Sequence, residues 1–206
     1  MRVIVQNLQK RPGLASSLVR EHKPDVLLAQ EINLKTEDEA LFKTAAHNTS
    51  KMGFGTAVYG RGPTSITDMI LVNSPHAETG WLIVKKTTVA LYEDGVHLVS
   101  FHGYNGMPFK SVSKLIDHVA AVLAVIPKGS PAVFAGDFNT WSKEHVDAVT
   151  NLMMNEGFML ACSWPYPGRK LPLDHAFIRD LRLDSYTTYQ NESDHIGIIL
   201  DLHLDP

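Results

Sequence analysis

The amino-acid sequence predicts a mixed α/β fold that is built on more than one β-sheet. Four short apolar runs contain few polar residues, which is typical of strands that are covered on both faces. Amphipathic segments with a helical period lie between some of these runs. Several later runs follow one another without a helix between them, so a purely doubly wound parallel sheet is not expected.

The four unbroken apolar runs are expected to be buried strands. They are RVIVQN (2–7), DVLLAQE (25–31), GVHLVSFH (95–102) and PAVFAGD (131–137). Three apolar stripes with a helical period predict helices. The first lies between Pro12 and His22 and consists of Leu14, Leu18 and Val19. The second follows Ser111 as N-cap and consists of Val112, Leu115, Ile116, Val119, Leu123 and Ile126. The third follows Ser142 as N-cap and consists of Val146, Val149, Leu152 and Met153.

The remaining apolar segments predict antiparallel strands. TDMILVN (67–73) and WLIVKKTTVALYE (81–93) are expected to pair through a turn at Ser74–Gly80. Three strands are expected near the C-terminus, in LDHAFIRD (173–180), LRLDSYTTYQ (181–190) and HIGIILDLHL (195–204). Only YGRGPTSITDM (59–69) and WPYPGRKLP (164–172) are predicted to be substantial irregular segments.

Length and composition favour one folded domain over residues 1–206, since 44% of the residues are apolar and 20% are charged. The longest apolar stretch, Val119–Pro127, is too short to span a bilayer. The N-terminus has no signal-peptide pattern, and the single cysteine, Cys162, excludes an internal disulfide framework, so a cytoplasmic protein is expected. The net charge of −3 provides no global attraction to nucleic acid, so phosphate binding would need a local patch or a metal ion.

Polar residues end several of the apolar runs. Asn7, Glu31, His102 and Asp137 stand at such ends. Taken singly, each is most simply explained as a turn former or a solvated group. If the strands run in compatible directions, however, their ends meet at one edge, where binding sites of layered α/β folds form. Carboxylates, amides and histidines favour Mg²⁺ or Mn²⁺, whereas a zinc cluster and a phosphate-binding P-loop are absent from the sequence.

Six motifs in order resemble those of the endonuclease/exonuclease/phosphatase superfamily, to which pancreatic deoxyribonuclease belongs. They are Asn7, QE (30–31), HGYN (102–105), GDFN (136–139), LDHAF (173–177) and SDH (193–195). GDFNTW and LDHAFIRD look closest to small bacterial or viral members of the family. The resemblance implies a four-layer α/β sandwich, in which two packed mixed β-sheets are flanked by helices. It also implies hydrolysis of phosphoesters with a divalent cation.

The resemblance assigns the metal ion and the attacking water to one group of residues. Glu31 would be the principal metal ligand, helped by Asp194 and by Asn7, which could also contact the substrate. His195 would be the base that activates the water. Asp174 would hydrogen-bond the imidazole, fix its tautomer and raise its basicity.

A second group of residues would handle the phosphate. Asp137 and Asn139 are predicted to orient the nucleophile and the phosphate oxygens, and not to be turn formers. His102 would stabilise the transition state or protonate the leaving oxygen, and Asn105 would contact the phosphate. Trp141 could stack on a base or a lipid, although packing is an equally simple explanation.

The leading expectation is a nuclease that acts as a monomer on nucleic acid, with DNA favoured over RNA. The intervals between the motifs leave little room for the long loops with which abasic-site enzymes grip duplex DNA. Basic residues near the motifs could supply a local patch: Lys10, Arg11, Lys110, Arg169 and Lys170. Two alternatives remain. One is a phosphatase or phospholipase-type hydrolase of a small or lipid phosphoester, and the other is a non-catalytic interaction module with the same fold.

Overall fold

Two six-stranded mixed sheets form the centre of the protein in a computed structural model, which describes residues 1–36, 41, 45–62, 64–78, 83–106 and 110–204. The strands of the first sheet are β1 (Arg2–Asn7), β2 (Val26–Asn33), β3 (Ala46–Thr49), β4 (Phe54–Gly60), β11 (Leu181–Tyr189) and β12 (Gly197–Leu204). Those of the second are β5 (Ile66–Glu78), β6 (Ile83–Tyr92), β7 (His97–His102), β8 (Ala132–Asp137), β9 (Met159–Trp164) and β10 (Asp174–Arg179). The spatial orders are β11-β12-β1-β2-β4-β3 and β5-β6-β7-β8-β10-β9.

Helices flank the two sheets. The helices in the described ranges are α1 (Leu14–His22), α2 (Val112–Leu123) and α3 (Lys143–Asn155), with a short 3₁₀ turn at Leu34–Thr36. Helix α1 connects the parallel strands β1 and β2, and α2 connects the parallel strands β7 and β8. The predicted architecture, two packed mixed sheets flanked by helices, is therefore confirmed. None of the helices in these ranges is long and apolar enough to cross a membrane.

The alternation of side chains explains why the first strands are apolar without interruption. Val3 and Val5 face the core between the two sheets, where they meet residues such as Leu98 and Val133. Ile4, between them in sequence, faces the opposite side and packs in the core under α1. A third core lies between the second sheet and helices α2 and α3. A strand between two such cores buries both faces, as the sequence predicted.

The helix caps are confirmed, but the inner face of α3 differs from the predicted stripe. Ser111 Oγ accepts a hydrogen bond from Lys114 N, and Ser142 Oγ accepts one from His145 N, both at 3.4 Å. In α3 the buried positions are His145, Val149 and Met153, while the predicted Val146 and Leu152 are half-buried. Helix α2 ends at Leu123, before the predicted Ile126.

Two predicted loops contain more strand than expected. Strands β5 and β6 pair antiparallel as predicted, but β5 extends to Glu78, inside the predicted turn region Ser74–Gly80, and residues 79–82 lie outside the described part of the chain. A register shift between Asn73 and Ala77 accommodates Pro75, because proline cannot donate to a neighbouring strand. The segment 59–69, predicted as irregular, contains the end of β4 and the beginning of β5. By contrast, residues 165–172 have no regular structure, as predicted.

Two buried histidines make the stability of the fold depend on pH. His118 of α2 lies 3.2 Å from Thr87 Oγ1, and His175 of β10 lies between Thr140 Oγ1 and Ser163 Oγ, each at 2.7 Å. Burial lowers the pKa of His118 to about 3 and the pKa of His175 to about 4. Both side chains are therefore neutral in the folded protein near pH 7.

We expect the free energy of unfolding to fall as the pH is lowered from about 6.5 towards 4. In this range the unfolded chain binds protons at these histidines and the folded protein does not, so protonation stabilises the unfolded state. The expected loss at about pH 5 is on the order of 2 kcal/mol for each histidine. Urea denaturation at several pH values measures it. A His118→Leu variant should have a shallower pH dependence, and an unchanged slope in this variant would contradict the assignment.

Candidate active site

Polar side chains from both sheets meet where the two parallel strand pairs end. In the sheet registers Asn7 is opposite Gln30, and His102 is opposite Asp137. Strand β10 runs antiparallel to β8 and begins with Asp174 opposite Asp137. The segment before β12 brings His195 to the same edge, where Asn7 Nδ2 lies 3.2 Å from Asp137 Oδ2 and 3.4 Å from His195 Nε2. The fold thus brings side chains from five strands together.

His195 and Asp174 form a buried pair. His195 Nδ1 lies 2.9 Å from Asp174 Oδ2, so Nδ1 carries the proton and Nε2 faces the cleft. Nε2 is 3.7 Å from Asp137 Oδ2. Burial alone would lower the pKa of His195, but the hydrogen bond and charge of Asp174, with the charges of Asp137 and Asp194, outweigh burial and raise it. The pKa of about 9 makes neutral His195 a strong proton acceptor at Nε2, and it also favours the protonated imidazolium near pH 7.

Asp137 is fixed by hydrogen bonds on both of its oxygens. Oδ1 accepts a bond of 2.9 Å from Asn139 N, and Oδ2 accepts the bond from Asn7 Nδ2. Asp137 therefore does form a turn, contrary to the prediction that excluded this role. Its Oδ2 still lies within 3.7 Å of both His195 Nε2 and His102 Nε2. The turn holds the carboxylate rigidly between the two imidazoles.

Asn139 connects this turn to its surroundings. Its backbone has a positive φ of 56°, a conformation that asparagine tolerates better than most residues. Nδ2 donates to Gly103 O at 3.1 Å, and Oδ1 accepts from Trp141 Nε1 at 3.3 Å. Both functional groups of the Asn139 amide are therefore engaged within the protein.

Gly136 permits the close approach of three strands behind the site. Its φ is 143°, and a Cβ at this position would lie 2.1 Å from the carbonyl oxygen of Phe101 and 3.0 Å from the side chain of Gln30. No side chain fits there without moving the backbone of β7. The glycine of the GDFN motif thus has a packing role, and it allows Gln30 to cross between the sheets and donate to Ser100 Oγ at 2.9 Å.

Glu31 sits at a bulge in β2. Its φ is 50°, and the pairing with β4 shifts register between Gln30 and Ile32. A bulge of this kind re-aims a side chain next to a site. Glu31 Oε1 lies 3.6 Å from His102 Nε2, and Oε2 lies 3.4 Å from Lys10 Nζ. The carboxylate is thus at the cleft, between an imidazole and an ammonium group.

His102 has a cationic neighbour that the sequence did not reveal. Lys85 Nζ on β6 lies 2.6 Å from His102 Nε2. Burial lowers the pKa of His102 well below its usual value, and the charge of Lys85 lowers it further. His102 is therefore neutral, and its Nε2 accepts the hydrogen bond from Lys85. As arranged here, that nitrogen has no proton to give.

Asn105 and Trp141 lie at one side of this centre. Lys110 Nζ donates to Asn105 Oδ1, and Asn105 N donates to Glu78. Lys110 Nζ and Arg169 Cζ lie 4.3 and 4.4 Å from the centroid of the Trp141 ring. Of the Trp141 contacts described here, the hydrogen bond to Asn139 is the one that reaches the centre of the site. This side of the site combines an indole with two positive charges.

Asp194, another predicted metal ligand, lies in the segment before β12. It is exposed, and its Oδ2 accepts a hydrogen bond of 3.2 Å from the hydroxyl of Tyr166. The Tyr166 ring also meets His195 edge-on, with 4.7 Å between the ring centroids. Tyr166 was missed because it lies in an irregular segment, where periodicity carries no information. Its only sequence signal is its position shortly before LDH.

The donor chemistry at the cleft fits a hard cation. Among the described residues, no three His, Cys, Asp or Glu side chains are arranged as a metal-binding group. Glu31 and Asp137 nevertheless place carboxylate oxygens within 3.7 Å of the same atom, His102 Nε2. Oxygen donors of this kind suit Mg²⁺ or Mn²⁺. Asn7 Oδ1 accepts from Gln9 N at 3.0 Å, so the amide nitrogen of Asn7 is the group that faces Asp137.

The sandwich and its polar edge place the chain in the deoxyribonuclease-like class of α/β folds. The chain belongs to the endonuclease/exonuclease/phosphatase family, whose model matches residues 6–195. The resemblance carried by the six motifs is thereby confirmed. Family membership indicates a hydrolytic phosphoesterase.

Solved structures share this fold at low sequence identity. A humanised D. rerio TDP2 with 14 mutations has a TM-score of 0.78 and 17% identity, with 98% of each chain covered. D. rerio TDP2 complexed with a single-strand DNA product has a TM-score of 0.71 and 15% identity, with 98% of each chain covered. An AP endonuclease from Archaeoglobus fulgidus has a TM-score of 0.68 and 13% identity over the whole of both chains. These values show the shared fold alone.

A sequence relative matches part of the chain. The UPF0294 protein VV2535 of Vibrio vulnificus (strain YJ016) is 35% identical over 79 residues, which cover 36% of this chain. The match covers only 28% of the length of that relative.

Proposed function

We propose that the protein is a divalent-metal-dependent phosphodiesterase that cleaves nucleic acid, with DNA favoured over RNA. The observation that carries the proposal is the convergence of Glu31, Asp137 and the His195–Asp174 pair at one cleft. His195 Nε2 lies 3.7 Å from Asp137 Oδ2, and Glu31 Oε1 lies 3.6 Å from His102 Nε2. One phosphate can therefore lie against the base and the acids at the same time.

In this proposal His195 takes a proton from the attacking water at Nε2. Asp174 holds the imidazole in the required tautomer and stabilises the cation that forms. Asp137 accepts a hydrogen bond from the water or orients it, and Asn7 Nδ2 donates towards the phosphate. These groups are already held in place by hydrogen bonds, so little reorganisation is needed when the substrate binds.

On the other side of the cleft, His102 and Lys85 face the leaving oxygen. Because His102 Nε2 accepts from Lys85, the lysine ammonium is the group that supplies positive charge and a proton to that side. Asn105, and the second N–H of Asn139 Nδ2, would contact the non-bridging oxygens. Lys10, Lys110 and Arg169 provide the local positive charge that a polyanionic substrate needs and that the overall charge of −3 does not.

The bound cation would be held chiefly by Glu31, with Asp137 beside it and the exposed Asp194 as a candidate further ligand. Asn7 would have to turn its amide oxygen, which accepts from Gln9 N, towards the cation to serve as a ligand. When bound, Mg²⁺ or Mn²⁺ supplies positive charge against the phosphate oxygens as the ester bond breaks. Lys10 Nζ lies 3.4 Å from Glu31 Oε2, so the lysine would have to move away from that oxygen when the cation binds. The D. rerio TDP2 structure with a single-strand DNA product supports a nucleic acid as the substrate class.

A plasmid-nicking assay tests the proposal. We expect supercoiled DNA or a single-stranded oligonucleotide to be cleaved with Mg²⁺ or Mn²⁺, and cleavage to stop when a chelator is added. Adding excess metal back should restore it, which separates metal loss from damage to the protein. Failure to cleave any DNA or RNA at high protein concentration, with either metal, would contradict the proposal.

A further inference from the structure

A cleft of about 340 Å³ opens beside the candidate active site. Glu31 and His102 are among the residues that line it. The turn before β4, the start of β4 and the first residues of β6 also line it, with Met52, Phe54 and Ile83 among them. The cleft is therefore continuous with the place where the reacting phosphate would lie, but none of these three apolar residues takes part in the proposed chemistry.

The apolar side chains in this cleft are unusually exposed. The exposed fractions are 62% for Met52, 36% for Phe54 and 53% for Ile83. Single exposed apolar residues are common, but a group of them around a concave site marks a surface that a ligand covers. Phe54 offers a planar face next to the acids, with Lys10 Nζ at 5.5 Å from its ring centroid.

Lysines surround the same cleft. Lys10, Lys85 and Lys86 all line it, together with the acids Glu31 and Glu78. Lys10 and Lys85 already bridge to the active site, through Glu31 and His102. The cleft thus combines an aromatic face with cationic side chains. This combination suits a planar apolar group that carries a phosphate, because the planar group can stack on the aromatic face and the phosphate can meet the lysines.

We infer that this cleft, here called the Phe54 subsite, binds the nucleobase of an unpaired nucleotide next to the scissile phosphate. The base would lie against the Phe54 ring, and Lys10 and Lys85 would face the phosphate. The inference rests on the proposed function and narrows its substrate to single-stranded nucleic acid. A paired base is stacked inside the duplex and cannot present its face to Phe54.

The size of the cleft and its charge also argue against a lipid. Ligand pockets range from about 300 to 1,000 Å³, and a cleft of about 340 Å³ at the low end suits one nucleoside better than two acyl chains. Its three lysines would lie against the acyl region if the apolar residues held a lipid tail. A nucleotide places its charge next to its ring, as the cleft does.

The Phe54 subsite can be tested with a short single-stranded oligonucleotide that has one cleavable phosphodiester. A second oligonucleotide has a base-free sugar on one side of that bond, and a third has it on the other side. Phe54→Ala should raise KM for the intact oligonucleotide about 10-fold, because stacking on one aromatic residue contributes about 1–3 kcal/mol per base. With the base-free sugar on the side that meets Phe54, wild type and Phe54→Ala should have the same KM, since the contact is absent from both.

Two further variants separate stacking from folding. Phe54→Trp keeps an aromatic face and should stay within about twofold of wild type. Tyr186→Ala removes another exposed aromatic residue, on β11 at the opposite edge of the same sheet, and should change nothing. Fluorescence anisotropy of a labelled oligothymidylate in chelator reports binding by each variant without any cleavage.

The outcomes distinguish the two proposals. Cleavage of the oligonucleotide with equal KM for wild type and Phe54→Ala would overturn the Phe54 subsite and leave the nuclease proposal standing. Binding that depends on Phe54, without cleavage by wild type, would support the subsite and remove the proposed activity. Equal affinity for duplex and single-stranded DNA would also overturn the subsite. If Phe54→Ala weakened binding to phosphatidylcholine vesicles alone, the subsite would also be overturned, because the cleft would then be assigned to a lipid.

Discussion

Replacing His195 with alanine is expected to lower kcat for phosphodiester cleavage by about 10³–10⁴-fold, at the upper end of what a positioned base contributes. The physical reason is the position of Nε2. It faces the cleft at 3.7 Å from Asp137 Oδ2, while Nδ1 is occupied by Asp174 at 2.9 Å. Metal affinity should change little, because the proposed principal ligand is Glu31. Single-turnover kinetics and titration calorimetry with Mn²⁺ measure the two quantities.

His203 offers a matched control for this variant. Its Nδ1 lies 2.5 Å from Asp184 Oδ2, so it also belongs to a histidine–aspartate pair, but the pair is on the exposed surface. His203→Ala should cleave at the wild-type rate. If His195→Ala lost no more activity than His203→Ala, His195 would not be the base.

Replacing Glu31 with alanine is expected to weaken the binding of Mg²⁺ and Mn²⁺ by at least about 10-fold, since a small hard cation is held by only one or two protein carboxylates. Activity at low metal concentration should fall with it, and excess Mn²⁺ should restore part of the loss. Activity measured against metal concentration, together with calorimetry, reports both effects. Glu21→Ala, at a largely exposed position on α1, is the matched control and should leave the metal dependence unchanged.

The two variants should fail in different ways. His195→Ala should remain inactive at every metal concentration, whereas Glu31→Ala should recover as Mn²⁺ is raised. Equal losses that do not respond to metal in either variant would contradict the division of roles between the two residues.

The convergence of the site could be predicted because of where the parallel strands end. Asn7 ends β1 and His102 ends β7. Helices α1 and α2 connect these strands to β2 and β8, which run parallel to them. Such a crossover places the carboxyl ends of both strands at one edge. The unbroken apolar runs showed which strands these were, since burial on both faces leaves no polar position in the middle.

Strands β3 and β4, which the sequence did not reveal, contain few of these signals. Strand β3 has only four residues, Ala46–Thr49, and alternates buried with half-buried positions. Strand β4 contains Gly55, whose missing Cβ allows the backbone of Asn48 to approach. Glycine usually indicates a turn when a sequence is read alone. Here it permits a tight pairing that only the neighbouring strand explains.

The sequence could not reveal the contacts that depend on the packing of the second sheet. Lys85 lies in β6, where a lysine normally indicates a solvated face, and its side chain reaches His102 at the end of β7. The sequence also could not show that Asp137 forms a turn and still faces the cleft. The carboxylate has two oxygens, and the structure uses one for the turn and leaves the other at the cleft.

The pairing of the first strand with the last has a consequence for how the protein is made. Strand β1 pairs with β12 from Arg2–Asp201 to Val5–Ile198, and the carbonyl of His195 accepts a hydrogen bond from Gln6 Nε2. A ribosome releases β1 long before residues 197–204 emerge, so β1 waits for its second neighbour until that later segment has been made. The proposed base is delivered by the same late segment. Until this later segment has folded onto β1, a nascent chain lacks His195 at the cleft, and the proposed activity cannot begin.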